Sequence, residues 1–511
     1  MFVALWVCYH GNSKLRASIF TKLVYSIGKG SDHAKPLAII FKQLLSVAYI
    51  PEEWKKATIT PVHKNGSTNL CSNYRPISIT CVCCKILERI LVKRIQEHLA
   101  ANNILHPAQH GFIKNRSTCT NLLESFNDWT LYLQDKQQVL IVYIDFRKAF
   151  DVISHEKLFT RLHAYGIQGE LLLWLKQFFT GRVYCTKVGL SFSDFVQLLS
   201  GIIQGSVIGP IMFIIFINEL VDLLARFGIT VKFFADDAKL YTNIVDTVDG
   251  VALQDALNAL CSWADTWQLP ISIDKCYVLN MGKRNTDTPI TLTVCGKTLP
   301  SVTVCKDLGI TVTDNLSPSL HINNIVTKAH QRANAIHRCF HSRNVDLLVR
   351  AYITYVRPLV EYNSIIWSPH YKQDIERIES VQRRFTKRLP GLKNYKYTER
   401  LTMLDLASLE LRRLWFDLYW CYKLVFGLVD VHNELCNLFE LKSDRVTRGH
   451  PYKLSKRHCT SNVRSSFFSE RVINVWNNLP SDNTVDFSSF ARFKRSVILV
   501  NISDYLLRSI E

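Results

Sequence analysis

The spacing of apolar residues predicts helices on either side of a central group of strands. From Pro36 to Ala48 and from Lys85 to Leu99 the apolar positions recur with the period of a helix. Ala57 to Val62 alternates as a half-buried strand does, and a turn follows it. Further helices are predicted at residues 154–165, 170–180, 210–225 and 253–267, and almost throughout residues 319–426.

Two segments in the middle of the chain predict strands that end in acidic residues. Val139 to Ile144 is a continuous apolar run, which is typical of a strand buried on both faces, and it ends at Asp145. Ile229 to Tyr241 predicts a tight hairpin with Asp236 and Asp237 at its tip. The other strands are predicted at residues 184–188 and 195–199, which form a hairpin, and at 271–279, 291–294 and 308–312, which complete a sheet.

The three aspartates are expected to converge. A carboxylate at the end of a buried strand is costly unless it is paired or binds a cation, so the two strand ends should be neighbours. Convergent carboxylate oxygens suit a hard cation such as Mg²⁺, and two such ions about 3.5–4 Å apart can clamp a phosphoryl transfer. The competing interpretation of Asp236 and Asp237 is a solvated Asp-Asp turn.

Composition narrows the choice of partners. The 511 residues correspond to about three or four structural units, and 48% hydrophobic content excludes a wholly disordered chain. The net charge of +19 indicates an anionic partner, either nucleic acid or a membrane surface. The longest apolar run, Val207 to Ile217, is too short for a bilayer, which favours nucleic acid over a membrane. Fifteen scattered cysteines indicate reduced thiols and an intracellular protein, in the nucleus, the cytoplasm or both.

Six short motifs, in a fixed order, resemble those of the reverse transcriptases of non-LTR (LINE-type) retrotransposons. The two catalytic motifs are matched by Ile144 to His155 and by Phe233 to Asp237. The remaining matches are to two finger motifs, the template-gripping motif and the primer-grip region, at residues 73–78, 109–118, 204–210 and 308–312. Segments at Trp367 and Trp476 are most similar to the jockey-type group, and the resemblance covers about residues 27–500.

The resemblance implies an α+β right-hand polymerase fold. Its expected parts are a lead-in (residues 1–34), fingers (35–135), a palm with an antiparallel sheet packed on helices (136–315), a helical thumb (316–430) and a basic C-terminal region (431–511). The implied activity is RNA-directed DNA synthesis from dNTPs, on an RNA template and a DNA primer. The lead-in is too short for an endonuclease domain, so the chain resembles the polymerase region alone.

Two other functions are compatible with these motifs. One is a folded but catalytically inactive nucleic-acid-binding relic, although the three intact aspartates favour an enzyme. The other is a group II intron maturase, which should add a DNA-binding and endonuclease module after the thumb; no such module is visible in the sequence.

The resemblance also implies roles for individual residues around the metal ions. Asp145 and Asp236, with the backbone carbonyl of Phe146, would bind two Mg²⁺ ions, with Mn²⁺ as an alternative, and Asp237 would be an auxiliary acid. Phe150 would lie under the sugar and exclude a 2′-hydroxyl; the competing interpretation is plain packing. Phe234 replaces the usual tyrosine, which removes a hydroxyl but no metal ligand.

Five further residues are implied to contact the nucleotide or the template. Lys64 and Arg75 would hold the triphosphate, Gln204 and Gly205 would lie against the template base and nucleotide, and Lys275 would protonate the departing pyrophosphate. The competing interpretations are a solvated basic pair for Lys64 and Arg75, a loop before a helix for Gln204 and Gly205, and a solvent-facing strand lysine for Lys275.

The helix after the palm is expected to grip the nucleic-acid backbone. It presents Arg383, Arg384, Lys387 and Arg388, and its apolar residues Ile375, Ile378, Val381 and Phe385 are predicted to pack on the palm. The competing interpretation is a charged, solvated helix face. A second basic stretch, residues 442–464, carries seven Lys and Arg residues against Asp444 and is expected to follow phosphates in the same way; the competing interpretation is a disordered basic tail.

Overall fold

The computed structural model describes residues 34–64, 66–282, 290–431, 438–442, 449–480 and 484–507. Nearly all of the predicted lead-in lies outside these ranges. The first third of the chain contains helices α1 (Ala34–Ser46), α2 (Glu52–Lys55), α3 (Val82–Ala101) and α4 (Thr118–Gln134), and strands β1 (Lys56–His63), β2 (Tyr74–Ile79) and β3 (Gln138–Ile144). The helices and strands predicted in this part are confirmed, with ends that differ by a few residues.

The next segment leads through helices to the acidic hairpin. Its helices are α5 (His155–Ala164), α6 (Gly169–Phe179), α7 (Gly209–Ile217), α8 (Glu219–Ala225) and α9 (Thr247–Trp267). Its strands are β4 (Val183–Val188), β5 (Ser191–Phe192), β6 (Val196–Gln197), β7 (Thr230–Phe234), β8 (Asp237–Ile244) and β9 (Tyr277–Met281). Short strands follow: β10 (Thr293–Val294), β11 (Lys297–Thr298), β12 (Ser301–Val302), β13 (Val304–Asp307) and β14 (Ile310–Thr313).

A five-stranded, mostly antiparallel sheet has the order β12-β9-β3-β8-β7, with β3 at its centre. All seven residues of β3 are buried, which explains the continuous apolar run from Val139 to Ile144. Alternate residues of the strand face two different cores. Leu140 and Val142 pack with α7 and α9, whereas Val139 and Ile141 pack with α4 and the helices that follow the sheet.

A second sheet joins parts of the chain that are far apart in sequence. β1 pairs antiparallel with β2 and parallel with β4, and β4 also pairs with β5 and β6. Residues 183–197 lie within the predicted palm range, yet they complete the sheet of β1 and β2. This hairpin leaves Leu190 95% exposed and Leu199 81% exposed.

The C-terminal part of the described chain is helical. It contains α10 (Ser319–Cys339), α11 (Val345–Tyr355), α12 (Ser364–Trp367), α13 (Lys372–Lys387), α14 (Tyr397–Met403), α15 (Leu409–Val425), α16 (Asn462–Ser465), α17 (Phe468–Asn477) and α18 (Phe490–Val497). Arg464 is buried and bonded to Asn127, Thr130 and Glu470, so a disordered tail is wrong for this member of the basic stretch.

Three predictions about strands are wrong. Residues 291–294 do not join the central sheet, because β10 pairs with β11 in a separate two-stranded sheet. Residues 271–279 are not one strand, because Ile273–Lys275 forms a 3-10 turn and the strand begins only at Tyr277. The region 308–312 begins with a turn at Leu308 and Gly309, both with positive φ, and it pairs with β13 in a separate two-stranded sheet. Short apolar runs indicate burial, but they do not specify the pairing partner.

No helix in the described part of the chain is long and apolar enough to cross a membrane.

Candidate active site

The register of the central sheet brings the acids to one end of it. Ile144, the last residue of β3, pairs with Ala238 of β8, and Phe234 of β7 pairs with Asp237. Ala235 and Asp236 are therefore the two turn residues of the hairpin, and Asp145 leaves β3 beside them. Ala235 has φ of 58°, in the left-handed region that alanine seldom occupies, so the turn is held in a strained conformation.

The carboxylates influence one another electrostatically. The pKa of Asp236 is raised by burial and by the negative charge of Asp145. The pKa of Asp237 is raised to about 6 by desolvation and by the charges of Asp236, Asp307 and Asp145. A shared excess of negative charge is the condition under which a bound cation is most stabilising.

Lys275 faces Asp145. Its ammonium Nζ lies 3.3 Å from Oδ2 and 3.4 Å from Oδ1 of that carboxylate. Lys275 ends the 3-10 turn, which is held against Asp145 because the Ser272 N–H donates to the Asp145 carbonyl at 2.7 Å. The interpretation of Lys275 as a solvent-facing strand residue is therefore wrong about the strand, although its side chain is 67% exposed.

The oxygen donors here fit a hard cation. Phe146 and Ile271 form an isolated β-bridge. Its two hydrogen bonds run from the Ser272 N–H to the Asp145 carbonyl and from the Arg147 N–H to the Pro270 carbonyl, so the carbonyl of Phe146 takes part in neither. The candidate set is thus two carboxylates and one backbone carbonyl, all of the type that Mg²⁺ prefers. Among the described residues, no group of three or more His, Cys, Asp and Glu side chains is arranged to hold a metal ion.

Two basic residues of the second sheet act on Asp236. Arg75 lies on β2 opposite Val62, and Lys64 directly follows β1; both side chains are exposed. Their positive charges lower the pKa of Asp236, in opposition to the effect of burial. The two basic residues are therefore close enough to Asp236 to influence its charge.

Gln204 and Gly205 lie against β2. The Ser78 N–H donates to the Gln204 carbonyl at 2.6 Å, and Gln204 Nε2 donates to Asp151 Oδ1 at 2.7 Å. Gly205 has φ of 115°, and an added Cβ would lie 2.3 Å from the Ser78 carbonyl oxygen. The close approach that this glycine permits is to the protein's own backbone. Asp151, which holds the Gln204 amide, was missed by the sequence analysis.

Phe150 combines packing with access to the site. Its ring stacks on Phe213 with centroids 4.4 Å apart and meets the edge of Phe112 at 6.4 Å. The side chain is nonetheless only half-buried. One face of the Phe150 ring packs on Phe213, and the other face remains available to contact the sugar of a nucleotide.

A buried polar network beside Asp237 was also missed. Lys239 Nζ donates to Asp307 Oδ2 at 2.7 Å, and the Tyr143 hydroxyl donates to the same oxygen at 3.1 Å. The sequence signal for this network is the charged Lys239, which lies between Ala238 and Leu240 in β8.

The basic residues of α13, and Arg388 directly after it, differ in their surroundings. Arg384, Lys387 and Arg388 are exposed, whereas Arg383 forms an ion pair with Glu376 at 2.5 Å and its guanidinium lies over the ring of Tyr397. The apolar side of α13 packs on α10, α14 and α15 rather than on the central sheet, so the predicted packing on the palm is wrong. The helix buries that side within its own helical layer.

A family model described as reverse transcriptase (RNA-dependent DNA polymerase) matches residues 62–312. The chain contains a reverse transcriptase domain. All three aspartates, Lys64, Arg75 and Lys275 fall within this domain, whereas α13 lies outside it. The expected α+β right-hand fold class is confirmed.

Relatives of the reverse transcriptase domain come from mobile elements of Drosophila melanogaster. The probable RNA-directed DNA polymerase from transposon BS is 27% identical over 371 residues, which are 68% of this chain and 40% of the relative. The RNA-directed DNA polymerase from mobile element jockey is 26% identical over 374 residues, 71% of this chain and 40% of the relative. The resemblance to jockey-like non-LTR retrotransposon polymerases is confirmed. The chain spans about two fifths of the length of these relatives.

Among solved structures, telomerase from Candida albicans in complex with a TWJ fragment of telomeric RNA is similar in part. The TM-score is 0.38 with 12% identity, over 76% of this chain and 62% of that one.

Proposed function

We propose that this chain is an RNA-directed DNA polymerase that extends the 3′-hydroxyl of a DNA primer on an RNA template. The observation that carries the proposal is the convergence of Asp145 and Asp236 at one end of the central sheet, beside Lys64, Arg75 and Lys275. An acidic pair within a basic surround suits a reaction between a nucleotide triphosphate and a nucleic acid, because both substrates are polyanions.

In this proposal the parts of the hand are fingers (35–135), palm (136–315), thumb (316–430) and a basic C-terminal region (431–511). Asp145, Asp236 and the Phe146 carbonyl would hold two Mg²⁺ ions, or Mn²⁺ in their place. Bound there, such ions lower the pKa of the primer hydroxyl and neutralise the charge of the leaving group. Asp237 adds negative charge to the site without being a required ligand.

The protein's own groups orient the reactants. The primer 3′-hydroxyl releases its proton to water, its oxygen bonds to the α-phosphorus of the dNTP, and the bond from that phosphorus to the departing pyrophosphate breaks. Arg75 and Lys64 would hold the triphosphate, the first through a planar fork and the second as a point charge. Lys275 would donate a proton to the pyrophosphate, and Gln204, whose amide donates to Asp151, would lie against the template side of the nucleotide.

Primer extension on poly(rA)/oligo(dT) with dTTP and Mg²⁺ tests this function. We expect the wild-type protein to extend the primer, and both EDTA and the substitution Asp145→Asn to stop it. Template–primer binding should persist in the variant, because the substitution removes one charge and little volume. Wild-type extension no greater than that of the variant would contradict the proposal and favour the inactive relic, which no observation in the described site favours at present.

A further inference from the structure

Gln109 is buried, with 3% of its surface exposed, and it is bonded directly to the strained turn that carries Asp236. The Ala235 N–H donates to Gln109 Oε1 at 3.0 Å, and Gln109 Nε2 donates to the Ala235 carbonyl at 3.4 Å. One side-chain amide therefore satisfies both polar groups of Ala235. Because the Ala235 carbonyl belongs to the peptide bond that leads into Asp236, the amide fixes the direction from which Asp236 leaves the turn.

The backbone around Gln109 fits this hairpin closely. The His110 N–H donates to the Phe233 carbonyl and the Phe233 N–H donates to the Ala108 carbonyl, each at 2.9 Å. The Gly111 N–H donates to the same Gln109 Oε1 at 2.7 Å. An added Cβ at Gly111 would lie 2.3 Å from the Ala235 nitrogen, so only glycine lets the two segments approach this closely.

The conformation of Ala235 requires such support. A φ of 58° is unfavourable for alanine, and a two-residue turn without external hydrogen bonds would relax toward a commoner conformation. Relaxation at Ala235 would rotate the following peptide and move the carboxylate of Asp236 away from Asp145. The segment around Gln109 is distant in sequence, so it imposes this conformation from outside the hairpin.

We propose that Gln109 is a positioning residue that holds the Ala235–Asp236 peptide in the conformation needed for cation binding. This inference rests on the proposed polymerase function, since it assigns to Gln109 the alignment of Asp236 with Asp145. Gln109 does not touch substrate or metal; it acts through the turn. The expected signature of its loss is a weaker affinity for Mg²⁺, not merely a less stable protein.

Gln138 provides a matched control. It is also a glutamine with 3% exposure, and its Nε2 donates to Asn280 at 3.0 Å, but it lies at the start of β3, at the opposite end of the strand from Asp145. Gln109→Met and Gln138→Met each replace a buried amide by an apolar side chain of similar size. Gln109→Asn is a second test variant that keeps a polar side chain but shortens its reach.

The experiment titrates Mg²⁺ in the primer-extension assay and measures the exchange rate of the Ala235 amide hydrogen in the metal-free protein. For Gln109→Met or Gln109→Asn we expect the Mg²⁺ concentration for half-maximal extension to rise about tenfold. This is the order of effect expected from losing the roughly two hydrogen bonds between Gln109 and Ala235. Excess Mg²⁺ should recover part of the rate, and the Ala235 amide should exchange faster. Gln138→Met should change neither the half-maximal concentration nor the Ala235 exchange rate.

Two results would overturn the inference: an unchanged Mg²⁺ requirement in a folded Gln109 variant, or an equal increase in Gln138→Met. If the wild-type protein does not extend primers, the polymerase proposal fails on its own. The positioning role is then judged by the Ala235 exchange rate and by the stabilisation that Mg²⁺ gives to each variant against heat. Equal exchange and equal stabilisation in wild type and variants would refute it.

Discussion

The ammonium of Lys275 lies within 3.4 Å of both carboxylate oxygens of Asp145, at the end of the turn that also bonds to the Asp145 backbone. This places a flexible cation beside a carboxylate that is proposed to bind metal. Lys275 can act as a proton donor to pyrophosphate, or only as a partner that compensates the charge of Asp145. An arginine at position 275 could supply the positive charge but could not donate a proton, so it distinguishes the two roles.

Lys275→Ala and Lys275→Arg separate these roles. If Lys275 donates a proton, Ala lowers the extension rate by about 10²–10⁴-fold, and Arg does not restore it because its guanidinium keeps its proton. If it only compensates charge, Arg restores most of the rate. We expect the first pattern, measured by single-nucleotide incorporation at saturating dNTP.

Asp145→Asn and Asp236→Asn are each expected to abolish extension while template–primer binding is retained. Asp237→Asn should cause a milder loss, because its role is auxiliary. Asp274 lines one cavity together with Asp145 and Asp237 and serves as the control, since Asp274→Asn should leave extension nearly unchanged. Activity retained in both Asp145→Asn and Asp236→Asn would disprove the metal assignment.

Phe150→Val is expected to admit ribonucleotides. The smaller side chain opens space beneath the sugar for a 2′-hydroxyl, and the ratio of dNTP to rNTP incorporation should fall about tenfold. Phe159→Val, at a core position 9% exposed, is the control for lost aromatic packing. An unchanged ratio in Phe150→Val would leave only the packing on Phe213.

The exposed arginines of α13 are expected to contact phosphates. Replacing Arg384 and Arg388 by Ala should weaken binding to every duplex sequence alike and flatten the slope of log K against log salt by about one to two units. Arg383→Ala should change the slope less, since Arg383 is paired with Glu376. Parallel slopes for wild type and the double variant would mean that α13 is only a solvated face.

Glu124 is bonded to Lys232 of β7, in the acidic hairpin, and gives the stability of the protein a dependence on pH. Burial opposes its ionisation, but His110, whose Nε2 lies 3.3 Å from Glu124 Oε2, and the charge of Lys232 outweigh burial and lower the pKa of Glu124 from 4.5 to about 2. The folded state therefore binds this proton less tightly than the unfolded state. The stabilisation is complete above about pH 4.5 and is lost as the pH falls toward about 2.

We expect Glu124→Gln to lower the melting temperature at pH 7 and to flatten its decline between about pH 5 and pH 3. Glu53→Gln is the control, because Glu53 is 77% exposed and its ion pair with Lys56 contributes little. A melting curve of Glu124→Gln that declines with acid as steeply as wild type would contradict this assignment.

The sequence predicts what each segment does locally. β3 was found because burial on both faces leaves a continuous apolar run, and the β7–β8 hairpin because two short apolar runs flank Asp236 and Asp237. The convergence of the acids followed from the cost of leaving a carboxylate unpaired at a strand end. These inferences need only neighbouring residues and the physics of burial.

What the sequence does not predict depends on partners far along the chain. Gln109 and Ala235 are in contact although they are 126 residues apart in the sequence, and the parallel strands β1 and β4 are separated by about the same distance along the chain. In the sequence, the turn that ends at Lys275 cannot be distinguished from the strand β9 that follows it. The turn is held by a hydrogen bond to Asp145, which is distant in sequence, and not by the preference of its own residues. The packing of α13 was misplaced for the same reason: an amphipathic pattern shows that a face is buried but not against what.

The central position of β3 has a consequence for biosynthesis. This strand is made before both of its neighbours, and its partner β8 begins about 90 residues after it ends. At a translation rate of about 5–20 residues per second, β3 waits roughly 5–20 s for its first partner. During that time the six-residue apolar run from Val139 to Ile144 has both edges unpaired, which is the condition for intermolecular strand pairing. Yield in a heterologous host should therefore depend on chaperone supply and growth temperature more than on the stability of the finished protein.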